Sequence, residues 1–89
     1  MLKITWVTRK NRSQTLRLEG KLLEPWVETV RNSCAEQVAR SRKFRLDLSG
    51  VSFVDSAGVE LLRDLIRQGA EIVACSSFVA ELLEQGDSS

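Results

Sequence analysis

Fourteen residues near the middle of the chain, Leu46-Asp47-Leu48-Ser49-Gly50-Val51-Ser52-Phe53-Val54-Asp55-Ser56-Ala57-Gly58-Val59, change the period of the apolar side chains from two to helical. Phe44, Leu46 and Leu48 alternate with Arg45 and Asp47, the pattern of a half-buried strand. Ser49 and Gly50 break the alternation, and the apolar spacing becomes helical from Ala57. Asp55 and Ser56 therefore fall at a helix N-terminus, where backbone N–H groups lack helical partners. A side-chain oxygen or a phosphate is favoured there. Asp55 reads as an N-cap or as an acid beside a phosphate. A metal-ligand role fails for want of convergent oxygen ligands. The Ser56 hydroxyl is either a plain cap or a switch. Gly58 allows close approach of a partner or of neighbouring backbone, or is simply a small residue in the first turn.

The flanking sequence supplies the other elements. Leu2, Ile4 and Trp6 mark one strand, and Leu16 and Leu18 a second that stops at Gly20. With a polar turn over Arg9 to Ser13, the two predict an antiparallel hairpin. Pro25 suits a first helical turn, because its missing N–H would be unpaired anyway. Trp26, Val27, Val30, Cys34 and Val38 continue that helix to about Ala39. After the central strand, Leu61, Leu62, Leu65 and Ile66 form the inner face of a second helix, and Gly69 ends it. Ile72 to Cys75 predicts a strand with both faces covered. Ser76 or Ser77 caps a final helix whose buried side is Phe78, Val79, Leu82 and Leu83. Strand–helix–strand from Phe44 to Cys75 is a crossover unit, which requires parallel strands and a right-handed connection. The expectation is one domain over residues 1–85 and a short polar tail over 86–89.

Eighty-nine residues suffice for one core without staples. No apolar run approaches bilayer length, and Met-Leu-Lys-Ile-Thr-Trp has no signal-peptide pattern, so the cytoplasm is the expected compartment. The absence of histidine excludes most His-based catalysis and the commonest metal ligand. No base stands near Ser56 in sequence, and no Gly-rich phosphate cradle is present. The residues thus point to a protein that is not an enzyme, with no cofactor and no metal. Cys34 and Cys75 read as small buried thiols. Residues 1–45 carry eleven Lys/Arg against four Glu, and residues 46–89 two Arg against eight Asp/Glu. The basic clusters, Arg9, Lys10 and Arg12, then Arg40, Arg42, Lys43 and Arg45, lack the aromatic interleaving of nucleic-acid surfaces. They read as solvated loop and helix-end charge.

LDLSGVSFVDSAGVELL, preceded by LRLEGKL and followed by GAEIVACSSFVAELL, resembles the STAS family, the sulfate-transporter and anti-sigma-factor-antagonist domain. The resemblance implies an α/β domain with a mixed sheet of about four strands flanked by three helices. It also implies a non-enzymatic binding module. In the antagonist branch the serine after the aspartate is phosphorylated by a partner kinase, which here is Ser56. The implied docking surface is Asp55, Ser56, Ala57, Gly58, Val59 and Glu60, and the implied partner is an anti-sigma factor with serine-kinase activity. A monomer or weak dimer is expected, with no direct nucleic-acid binding and no membrane insertion. The alternative within the family is an accessory subunit of a lipid-transport ABC system that grips its ATPase. The chain departs from the antagonist pattern after Gly20, where Lys21-Leu22-Leu23-Glu24 replaces a frequent aspartate.

Overall fold

The computed structural model describes residues 2–8, 14–40 and 43–85. The elements run β1 (Leu2–Thr8), β2 (Gln14–Leu22), α1 (Glu24–Ala39), β3 (Phe44–Val54), α2 (Ser56–Arg67), β4 (Ala70–Cys75) and α3 (Ser77–Gln85). They form one four-stranded mixed sheet in the order β1-β2-β3-β4. β1 and β2 pair antiparallel from Leu2 opposite Gly20 to Thr8 opposite Gln14. β2 with β3, and β3 with β4, pair parallel, with α1 and α2 as the crossovers. The expected turn at 9–13, the tail at 86–89 and the basic residues Arg9, Lys10, Arg12 and Arg42 lie outside the described residues.

One sheet face builds the core. Leu16, Leu18 and Leu22 on β2 and Phe44, Leu46 and Leu48 on β3 are buried in a single cluster. Val30 and Cys34 of α1, Leu61, Leu62 and Leu65 of α2, and Val79 of α3 belong to the same cluster. The opposite sheet face is polar, with Arg17 paired to Asp47 at 3.3 Å. Each fully buried leucine contributes about 1.5–3 kcal/mol. An exposed ion pair contributes at most about 1. Burial, rather than charge, therefore sets the register.

Two strands run further than the sequence suggests. β3 does not stop at Ser49 and Gly50 but continues to Val54, and β2 passes through Gly20 to Leu22. The reason is bulging. Between Arg17 and Glu19, and again between Gly20 and Lys21, β2 advances one residue fewer than β3. Each extra residue on β3 shifts the alternation, so its buried positions pass from 44, 46 and 48 to 51 and 54. Gly20, at φ 112°, takes a backbone conformation open to glycine beside the second bulge. The Ser52 hydroxyl donates to its carbonyl at 3.3 Å.

Other expectations are corrected in detail. β4 is an edge strand, and the helices cover only one of its faces, so Val73, at a register shift against β3, is exposed. Ile66 and Phe78, placed inside by periodicity, are both exposed. Each sits at the margin of its helix's apolar stripe, where the neighbouring elements cover it only in part. Gly69 ends α2 at φ 110°, as the sequence suggests. The Ser76 hydroxyl accepts the Val79 N–H at 3.3 Å and so caps α3.

Candidate functional site

The site is built where β3 hands over to α2. The Asp55 N–H donates to the Leu22 carbonyl at 3.2 Å, extending the β2–β3 ladder by one bond and fixing the cap residue to the sheet. The Asp55 backbone is extended, and its Oδ1 accepts the Gly58 N–H at 2.8 Å. This is the N-cap expected from sequence. The other carboxylate oxygen, Oδ2, accepts the Glu24 N–H at 2.8 Å. Glu24 opens α1, whose own cap position is Leu23, a residue with no side-chain cap bond. One carboxylate therefore serves two helix N-termini, and both positive helix ends converge on Asp55. No local signal announces the second bond, since Asp55 and Glu24 lie thirty-one residues apart.

Ser56 is the first residue of α2, and its side chain is exposed. Its hydroxyl makes no hydrogen bond among the described residues, because Asp55 already does the capping. Ala57 and Val59 are half-buried, and Glu60 is exposed. Gly58 is buried. A Cβ built there would stand 2.7 Å from the Leu22 carbonyl oxygen and 2.7 Å from Val54 Cγ1. Its hydrogen is thus what lets α2 sit against the end of β2, so its surface is occupied from within the chain.

Beside Ser56 lies an open depression of about 400 Å³. Val54, Val59 and Leu82 provide its apolar walls, and Asp55, Ser56, Glu60 and Arg63 its polar ones. Arg63 reaches from α2 to α3, its Nη2 donating to the Leu83 and Leu82 carbonyls at 3.4 and 3.5 Å. Nearby, Phe53 and Phe78 stack with ring centroids 5.9 Å apart while both remain exposed. The sequence pattern did not single out Arg63 or the aromatic pair, because both depend on where α3 docks.

On the polar sheet face, Asp47 is held in its charged form by its neighbours. The Ser49 hydroxyl and N–H donate to it at 2.7 and 3.0 Å and, with Arg17, hold its carboxyl below the ordinary value of 3.8. It lies on β3 before the bulges and is not part of the turn. Burial pushes the Cys34 thiol up to about 11. No helix among the described residues is long and apolar enough to cross a membrane.

Residues 6–88 match the family model described as STAS domain. No curated protein matches the chain. Among solved structures, the unphosphorylated anti-sigma factor antagonist SpoIIAA is similar at 22% identity and TM-score 0.72, over 94% of this chain and 82% of that one. The phosphorylated SpoIIAA of Bacillus is similar at 22% identity and TM-score 0.72, over 98% and 84%. An anti-sigma factor antagonist from Mycobacterium paratuberculosis is 16% identical with TM-score 0.81, over 97% and 78%. At these identities the likeness carries the fold.

Proposed function

The chain belongs to the STAS domain family, and from that membership we propose that it is an anti-sigma factor antagonist whose binding is switched by phosphorylation of Ser56. The observation that carries the reading is the division of labour at the turn. Asp55 holds both helix ends, and Ser56 next to it is exposed and uncommitted. Modification of Ser56 therefore leaves the caps intact. In the reaction, Ser56 Oγ displaces ADP from the γ-phosphoryl group of ATP held by the partner kinase. Its proton passes to a base of that kinase, since the chain has no histidine to take it.

Phosphate adds about −1.5 to −2 charges at neutral pH. The N-termini of α1 and α2 tolerate it through their dipoles. An acidic or apolar partner surface does not, and Asp55 and Glu60 add repulsion. In this reading the unmodified protein binds the anti-sigma factor and frees the sigma factor, and the phosphorylated form lets go. Asp55 to Glu60 form the docking turn, with Gly58 contributing through the position it gives α2.

The test is calorimetry of wild type, Ser56→Asp and Ser56→Ala against the partner recovered by affinity capture. Ser56→Asp should weaken binding by about 1–3 kcal/mol, the scale of an unfavourable interfacial charge. Ser56→Ala should bind and lose phosphorylation. Equal affinity of wild type and folded Ser56→Asp would overturn the switch. Recovery of an ABC-transporter ATPase in place of a kinase would assign the same turn to a transport assembly.

A further inference from the structure

Arg63 is poorly satisfied for a guanidinium. Its two bonds to α3 carbonyls, at 3.4 and 3.5 Å, are long for N–H···O. Its Nε is buried and meets no acceptor among the described residues. Leu82 and Leu83 belong to the last turn of α3, where carbonyls lack helical partners, so these weak bonds are a clamp on that helix end. Arg63 also lines the depression that Ser56 lines.

We infer that Arg63 reads the state of Ser56 from within the chain: a phosphate on Ser56 draws the guanidinium off the Leu82 and Leu83 carbonyls and loosens α3 on α2. The inference rests on the reading of Ser56 as a modification site. Ser56 and Arg63 are seven residues apart on one helix stripe, about 10.5 Å along the axis. A long helical side chain leans toward the N-terminus of its helix, which here is toward Ser56. The phosphate offers three acceptor oxygens in the geometry that guanidinium forks match, and charge-assisted bonds are roughly twice as strong as neutral ones. Asp55 and Glu60, also on the depression, oppose the phosphate, but both Asp55 oxygens already accept helix N–H groups and Glu60 is exposed and screened by solvent.

The losing partner is weak. α3 has nine residues, too few for a helix to persist without its contacts. With the clamp gone it retains the Ser76 cap and the buried Val79, so it opens locally and does not unfold the domain. The phosphorylated protein then presents an altered α2–α3 face in addition to new charge.

The test uses full-length protein with phosphoserine genetically encoded at position 56, so no kinase is needed. Two readouts are taken. One is the second ionisation of the phosphate, by phosphorus NMR titration; the other is amide exchange of residues 79–83. Pairing with Arg63 should lower the phosphate's second pKa by at least about 0.5 unit relative to Arg63→Gln. Phosphorylation should speed exchange in α3 several-fold in wild type and leave it unchanged in Arg63→Gln, where the clamp is already absent. An equal phosphate pKa in the two proteins, or unchanged α3 exchange on phosphorylation of wild type, overturns the inference. If Arg63→Gln does not fold, Arg63→Lys replaces it: lysine keeps the charge without the fork, and an equally low phosphate pKa would reduce the effect to charge alone and overturn the assigned geometry. Because the phosphate is installed without a kinase, failure here leaves the phosphorylation reading standing, and a missing kinase leaves this result interpretable.

Discussion

Gly58→Ala isolates the junction that aims the candidate site. The added Cβ would lie 2.7 Å from the Leu22 carbonyl oxygen, 2.7 Å from Val54 Cγ1 and 3.1 Å from Leu22 Cγ. Two opposing terms decide the sign. Alanine is the better helix former by about 0.5–1 kcal/mol. Overpacking a close-packed site by one methyl costs about 1–3 kcal/mol. The carbonyl cannot turn aside freely, because it accepts the Asp55 N–H that ties α2 to the sheet. Packing should win, with a net loss of about 1–2 kcal/mol. For a domain of this size that corresponds to a fall in melting temperature of about 5–15 °C, measured by circular dichroism. Gly50→Ala is the internal control. Its Cβ would meet Glu19 Cγ at 2.8 Å, a flexible side chain on the polar face, so its cost should stay within about 1 kcal/mol. A Gly58→Ala protein as stable as wild type, or more stable, would refute the claim that close approach of backbone explains this glycine.

Asp55→Ala removes the acceptor of two N-terminal N–H groups and should cost about 2 kcal/mol in urea unfolding, at roughly 1 per cap. Asp55→Asn keeps one acceptor oxygen and should cost about half as much; equal losses for the two would argue against the double cap. Asp47 has a lowered folded-state value, so the stability it adds is present above the ordinary carboxylate range and is lost as pH falls through the folded value. The gap between wild type and Asp47→Asn, at most about 1 kcal/mol at neutral pH, should therefore shrink by about pH 3 in urea titrations. Cys34 is buried and its thiol is pushed up to about 11, so a thiol reagent at mildly alkaline pH should label Cys75 in the native protein and Cys34 only after unfolding.

The family assignment, the mixed sheet, the antiparallel hairpin, the parallel β3–β4 pair and the Asp55 cap were all legible in the chain. The family came from the resemblance of LDLSGVSFVDSAGVELL and its flanks, and the rest follows from local chemistry: side-chain period, a carboxylate three residues before the N–H it accepts, and Gly69 at the end of α2. The misread positions were those where a neighbour overrules the local pattern. Ser49 and Gly50 look like a turn, yet β2 supplies ladder partners that carry β3 through them with bulges. Ile66 and Phe78 have the right spacing for a core, but periodicity reports a stripe's direction and not how far the opposing elements extend.

By itself, then, the sequence determined the elements, their order, and the turn on which Asp55 and Ser56 stand. Tertiary structure decided what that turn is made of. Asp55 meets the Glu24 N–H, Gly58 meets the Leu22 carbonyl, and Arg63 meets the end of α3, because strands far apart in sequence pair in a single register. Register is chosen by burial of Leu16, Leu18, Leu46 and Leu48 over the whole sheet, a collective free energy that no short stretch of sequence contains.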